Sequence, residues 1–110
     1  MVLMSENFKL IYKILSKLES MMQFEQIDVD RISHKALNVN YELWERIIIM
    51  LFENGYIKNV KIVKYVDEPK EKVIDFSRIE ITLKGLEYLE ENSTMQKAKK
   101  LVKGIIDIMK

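Results

Sequence analysis

The sequence predicts one mainly helical α+β domain that spans residues 1–110. The chain has 110 residues, close to the commonest size of a domain, and only three glycines and one proline interrupt it. Apolar residues recur every three or four positions in three successive segments, and a period of two follows Gly55. Three helices followed by a hairpin is the order of a winged helix-turn-helix with a β-hairpin wing. Two further helical segments predict a C-terminal helical extension.

The first predicted helix covers about residues 6–22. Ser5 is its predicted N-cap, and Glu6 in the first turn complements the helix dipole. The helical spacing of apolar residues predicts an inner face made of Phe8, Ile11, Tyr12, Leu15, Leu18 and Met22.

The second predicted helix is shorter and covers about residues 29–37. Asp28 is its predicted N-cap. The segment from Asn38 to Asn40 predicts a turn, because asparagine tolerates left-handed backbone geometry.

The third predicted helix covers about residues 41–53 and is apolar nearly all round. Asn40 is its predicted N-cap, and Gly55 is placed to supply the positive φ that a helix C-terminus commonly needs. Its predicted inner face consists of Trp44, Ile47, Ile48 and Leu51. A helix with so little polar surface is usually buried on more than one side.

Two segments rich in β-branched and aromatic residues predict the wing strands, at about residues 57–66 and 73–81. The loop between them is charged and contains Pro69, the only proline. An antiparallel hairpin follows from this arrangement.

Two helices are predicted after the wing, at about residues 83–91 and 94–109. Thr82 is the predicted N-cap of the first, which turns Leu83, Leu86 and Leu89 inward. Asn92 is predicted to end it, and Ser93 with Gln96 fits a capping box for the next. The last helix has an apolar stripe opposite a lysine-rich face.

Charge is distributed unevenly along the chain, although its net value is only +1. Residues 1–57 carry six Lys/Arg against eight Asp/Glu, and residues 58–110 carry twelve against nine. The cationic surplus therefore belongs to the wing and the last helix. It is far smaller than the basic stripe of a dedicated nucleic-acid binder.

Composition excludes several classes of function. The chain has no cysteine, so disulfides, zinc fingers and thiol catalysis are ruled out, and His34 is the only histidine. No glycine-rich phosphate loop is present. We therefore expect a non-enzymatic protein without a catalytic site, metal or cofactor. No signal peptide is visible, and the longest apolar run, Ile47 to Phe52, is too short to cross a membrane, which predicts a cytoplasmic protein without a membrane partner.

Two stretches give the chain a family resemblance. One runs from Leu51 to Ile57, with the sequence LFENGYI, and the other from Ile81 to Ser93, with the sequence ITLKGLEYLEENS. Together with the lysine-rich final helix, they resemble the YjcQ-like winged-helix proteins of Gram-positive bacteria and their prophages. The resemblance implies the winged-helix fold and an origin in a mobile element. It implies no activity and no catalytic or binding residues.

The predicted fold and the basic C-terminal half suggest that the domain binds double-stranded DNA as a transcription regulator. A winged helix places its third helix in the major groove and its wing on the backbone, where lysine and arginine contact phosphates. The candidate residues are Arg46, Lys58, Lys61, Lys64, Lys70, Lys72, Arg78, Lys97 and Lys100. The same lysines equally fit a solvated face that protects a strand edge or a helix surface.

A protein-interaction module without DNA binding is the alternative function. The third helix offers Arg46 as its only cation, flanked by Glu42 and Glu45, and these carboxylates repel phosphates. The apolar stripes of the first and last helices also predict packing within one chain or across a homodimer. The candidate residues for that packing are Phe8, Tyr12, Leu101, Ile105 and Ile108.

Overall fold

The computed structural model describes residues 5–93, in which helices come first and antiparallel strands follow. The elements are helix α1 (Glu6–Ser20), a 3-10 helix (Val29–Ile32), helix α2 (Tyr41–Glu53), and strands β1 (Ile57–Lys58), β2 (Lys61–Lys64), β3 (Glu71–Asp75) and β4 (Glu80–Ile81). Helix α3 follows, and its described part is residues 83–93. The predicted α+β class is confirmed.

Helix α1 begins as predicted, because the Ser5 side chain accepts a hydrogen bond of 3.2 Å from the backbone N–H of Phe8. Its predicted inner face is partly wrong. Phe8 and Met22 are more than half exposed, and the buried residues are Leu10, Ile14, Leu15, Leu18 and Met21. The helix is therefore rotated from the predicted orientation, and one apolar edge remains on the surface.

The predicted helix over residues 29–37 is wrong, because the segment divides at Ser33. Val29–Ile32 form a 3-10 helix, and the backbone at Ser33 is extended, with φ −70° and ψ 160°. The Ser33 hydroxyl then accepts a hydrogen bond from the N–H of Ala36 and starts a separate turn. Asn38 ends that turn in left-handed geometry, at φ 56°.

Helix α2 agrees with the prediction at both ends. The Asn40 side chain accepts a 2.8 Å hydrogen bond from the N–H of Leu43. Gly55, at φ 80°, closes the C-terminus as a Schellman motif, in which the N–H of Tyr56 donates to the carbonyl of Leu51 at 2.9 Å. The four predicted inner residues of this helix are all buried.

The hairpin formed by residues 57–81 is divided into two short antiparallel ladders, where two continuous strands were predicted. Strand β1 pairs with β4 at its base, and β2 pairs with β3 nearer the loop. The first arm breaks at Asn59, which adopts φ 65°. The second arm breaks at a turn in which the N–H of Ile79 donates to the carbonyl of Phe76. The hairpin therefore bends between its base and its outer part.

Helix α3 starts at the predicted cap, because the N–H of Gly85 donates to the Thr82 hydroxyl at 3.2 Å. Leu89 is buried as predicted, but Leu83 is 72 % exposed. The predicted break at Asn92 is wrong, since residues 92 and 93 are helical and the Asn92 side chain donates to the carbonyl of Tyr88. The predicted helix 94–109 lies outside the described residues.

A continuous apolar core joins α1, α2, the hairpin and α3. Among residues 5–93 every fully buried side chain is apolar, apart from the indole nitrogen of Trp44. That nitrogen donates a 2.8 Å hydrogen bond to the carbonyl of Ile32, which fixes the 3-10 helix against α2. Within the same range no helix is long and apolar enough to span a membrane.

Candidate functional site

An open groove of about 640 Å³ separates α2 from the outer part of the hairpin. Residues 41–50 of α2 line one side, and residues 68–74, from the loop and β3, line the other. We call it the α2–hairpin groove. Strand β3 lies beside α2 and forms the second side of the groove.

Glu45 connects the two walls of the groove. Its Oε2 atom accepts a 3.1 Å hydrogen bond from the backbone N–H of Val73 in β3 and a 2.9 Å hydrogen bond from the Tyr41 hydroxyl. Burial, followed by the hydrogen bond and charge of Glu45, raises the pKa of Tyr41 above its usual 10.0. The carboxylate is thus engaged with protein groups on the helix face that sequence reasoning assigned to DNA.

The groove also contains apolar side chains that remain accessible. Tyr41 is 45 % exposed, Met50 46 % and Ile74 54 %. Ile49, on α2 with Tyr41 and Met50, also lines the groove and is half-buried. Accessible apolar area of this kind, rimmed by charges, is typical of surfaces that bind other proteins.

Carboxylates outnumber cations along the groove. The acidic residues are Glu42, Glu45, Glu68 and Glu71, and the basic ones are Arg46, Lys70 and Lys72. Lys72 lies 2.9 Å from Glu68, and this hydrogen bond and charge raise the pKa of the Lys72 ammonium. The groove therefore has no surplus of positive charge.

The remaining predicted cations of the hairpin lie away from the groove. Lys58 at the base forms an ion pair of 3.5 Å with Glu80. Lys61 and Arg78 are exposed and lie near Asp75. The pKa of that carboxyl is lowered first by the N–H of Ser77, at 2.9 Å, and less by the two cations.

Within residues 5–93 the predicted DNA-contacting residues are divided between the groove and the rest of the hairpin. Lys64 is exposed and stands opposite Glu71 in the strand register. Arg46 and Lys70 lie among the carboxylates of the groove. Lys97 and Lys100 lie outside the described residues.

The predicted dimer contacts are only partly described. Phe8 is 53 % exposed and Tyr12 is half-buried, so the edge of α1 that carries them is accessible within the described chain. Leu101, Ile105 and Ile108 lie outside the described residues.

Sequence reasoning missed the residues that make the groove distinctive. The sequence pattern gives Ile74 only as one position of an alternating strand, and the bond from Val73 to Glu45 joins residues 28 apart. The one signal of the groove in the sequence is the number of apolar residues on α2, which is greater than a single buried face requires.

The two stretches that carry the family resemblance lie against each other. The Thr82 hydroxyl donates to the carbonyl of Gly55, and its backbone N–H donates to the carbonyl of Tyr56 at 3.0 Å. The Lys84 ammonium donates to the carbonyl of Asn54 at 2.9 Å and lies 5.0 Å from the centre of the Tyr56 ring. A protein-family model described as YjcQ protein matches residues 12–108.

The chain belongs to the YjcQ protein family. The resemblance inferred from the sequence is thereby confirmed. No curated protein and no solved structure matches this chain significantly. Its two characteristic stretches join the end of α2 to the start of α3, which gives them a structural role. In residues 5–93, no three His, Cys, Asp or Glu side chains form a group that could hold a metal ion.

Proposed function

We propose that this chain is a winged-helix binding module whose α2–hairpin groove holds a segment of another polypeptide chain. The order of α1, a short helical turn, α2 and an antiparallel hairpin supports the winged-helix assignment. In that fold α2 occupies the place of the helix that reads DNA, and the hairpin is the wing.

The engagement of Glu45 carries the proposal. A helix that enters the major groove directs polar and cationic side chains towards bases and phosphates. Here the corresponding face directs a carboxylate at the hairpin backbone, with Met50 and Ile74 accessible beside it. Phosphates are repelled by such a face, whereas an amphipathic protein segment gains apolar contact there.

A titration followed by NMR tests the proposal with three probes. The probes are a 17-residue amphipathic peptide of leucine and lysine, its leucine–glutamate counterpart, and a mixed-sequence DNA duplex. We expect the basic peptide to shift the amide signals of Ile49, Met50 and Ile74, and the other two probes to leave them unchanged. Shifts caused by DNA alone at these positions would refute the proposal.

A pair of variants on one helix provides the control. Met50→Lys replaces an apolar side chain of the groove with a cation that repels the basic peptide, and is expected to weaken peptide binding at least several-fold. Phe52→Lys changes another exposed apolar residue of α2 that does not line the groove. It should leave the affinity unchanged, and equal effects of the two variants would contradict the assignment of the groove.

Contact with DNA phosphates is a second candidate function, favoured by the exposed cations Lys61 and Arg78 at the bend of the hairpin. A gel shift at a salt concentration of about 50 mM tests it, because phosphate contacts strengthen as salt falls. The double variant Lys61→Gln, Arg78→Gln should weaken any retardation, and Lys13→Gln, on α1, should not. Absence of retardation at low salt excludes this function.

A further inference from the structure

We propose that the α2–hairpin groove is occupied by residues 94–110 of a second copy of this chain. The inference rests on the proposed function and names the partner. Residues 94–110 contain five lysines and one aspartate, and their apolar residues recur at helical spacing, as in Leu101, Ile105 and Ile108. The sequence of this segment thus has the two properties that the groove selects, which are a cationic face and an apolar stripe.

Charge complementarity supports the groove as the docking site. Lys72 is already paired to Glu68. The remaining charged residues of the lining are three carboxylates, Glu42, Glu45 and Glu71, and two cations, Arg46 and Lys70. A segment rich in lysine gains attraction there, and its apolar stripe meets the half-exposed side chains of Tyr41, Met50 and Ile74.

The exposed edge of α1 is one competing surface, and its charge disfavours the same segment. Phe8 and Tyr12 offer apolar area, but Lys9 and Lys13 are exposed on the same helix. The Glu6 carboxylate is already within 3.2 Å of the Lys9 ammonium. A lysine-rich segment therefore finds repulsion on α1 and attraction in the groove.

The course of α3 favours a second copy over the chain's own groove. A segment that folds back onto its own domain needs a reverse turn, and Asn92 and Ser93 are the residues suited to it by composition at the end of the described chain. Both residues are helical. Exchange of segments between two copies then gives a closed dimer, in which each groove and each segment is used once.

A spin label tests the placement in the full chain, because the absence of cysteine allows a single label site. The variant Lys103→Cys carries the label at a polar position of the segment and is mixed with isotope-labelled, unmodified protein. We expect intermolecular broadening of the amide signals of Met50 and Ile74. Broadening at Phe8 and Tyr12 alone, or no intermolecular broadening, overturns the proposal.

A charge exchange gives a second, independent measurement. The pair Lys97→Glu, Lys100→Glu and the pair Glu42→Lys, Glu71→Lys should each raise the dimer dissociation constant, by about two- to fivefold for every ion pair removed. Combining both pairs should restore dimerisation, as measured by light scattering. Additive weakening in the combined variant overturns the proposal.

The outcome also separates this inference from the proposed function. If the full chain stays monomeric while the leucine–lysine peptide still shifts the groove signals, the groove binds a protein segment but not this one. If neither the peptide nor the terminal segment reaches the groove, both proposals fail.

Discussion

The hydroxyl of Thr82 donates a hydrogen bond to the backbone carbonyl of Gly55, 27 residues earlier in the chain. The same oxygen accepts from the N–H of Gly85 and thereby caps α3. One side chain therefore joins the end of α2 to the start of α3, and the whole hairpin lies between these two points in the sequence. The two stretches that carry the family resemblance are therefore held together by this hydroxyl.

Replacing Thr82 with valine should destabilise the protein by about 1–2 kcal/mol, because the variant has neither the cap nor the bond to Gly55 while the shape of the side chain is kept. Urea unfolding followed by circular dichroism measures the effect. Thr82→Ser retains the hydroxyl and should be destabilised much less. Equal stabilities of the two variants would show that the hydroxyl is unimportant.

Gly85→Ala should also be destabilising, by about 1–3 kcal/mol, although alanine is the better helix former. Its Cβ would lie 2.5 Å from the carbonyl oxygen of Tyr56 and 2.5 Å from Cγ1 of Ile81. Gly55→Ala is the comparison, since the added Cβ there meets only Lys84 at 3.9 Å and the cost arises from φ 80°. Thermal unfolding of both variants checks the prediction, and a Gly85→Ala protein as stable as the parent contradicts it.

Glu45→Ala should loosen the packing of the hairpin on α2. The N–H of Val73 is then without its acceptor, so its hydrogen exchange should accelerate and stability should fall by about 0.5–1.5 kcal/mol. Glu45→Gln keeps an oxygen acceptor and should preserve the protection of that amide. Glu42→Ala, which removes an exposed carboxylate from the same helix, should not affect Val73. Unchanged exchange in Glu45→Ala would count against the connection.

Tyr88→Phe should leave stability at neutral pH unchanged or raise it by up to about 1 kcal/mol. Its hydroxyl is buried and has no hydrogen-bond partner within residues 5–93, so removing it relieves a desolvation penalty. The control is Tyr65→Phe, which changes a tyrosine that is more than half exposed. Clear destabilisation by Tyr88→Phe would reveal a partner for the hydroxyl.

Alkaline pH gives a further readout on Tyr88. Burial, and to a lesser degree the charge of Tyr56, raises its pKa in the folded state above the usual 10.0. The folded state thus favours the neutral phenol. The contribution of the neutral Tyr88 phenol to the free energy of unfolding is complete below the usual pKa of 10.0. It is lost as the pH rises through the higher folded-state pKa. Urea unfolding across this range should show a shallower decline of stability in Tyr88→Phe than in the parent, and parallel profiles would contradict this.

Several features could be predicted from the sequence because their causes are local. Ser5, Asn40 and Thr82 cap helices through hydrogen bonds that reach three residues along the chain. Gly55 supplies the positive φ that a Schellman motif needs after the end of a helix. Such signals act within one turn of backbone, so they can be read without knowledge of the fold.

The same local reasoning failed where two signals of similar strength compete. Ser33 starts a new turn and divides the predicted helix over residues 29–37, although apolar spacing favoured continuity. Asparagine is a residue type that often ends helices, but the side chain of Asn92 donates a hydrogen bond to the carbonyl of Tyr88 within the helix. Sequence pattern alone does not rank these local hydrogen bonds.

The order of helices and hairpin, the helix caps and the family could all be read from the amino-acid sequence. The pairing of charges and the position of the groove required the folded chain. Lys58 meets Glu80 through the pairing of β1 with β4, and Glu45 meets Val73 where β3 lies beside α2, so both contacts join residues more than 20 positions apart. A binding surface depends on such distant pairings, because it consists of the side chains that remain exposed, and of the charges that remain unpaired, once the core has formed.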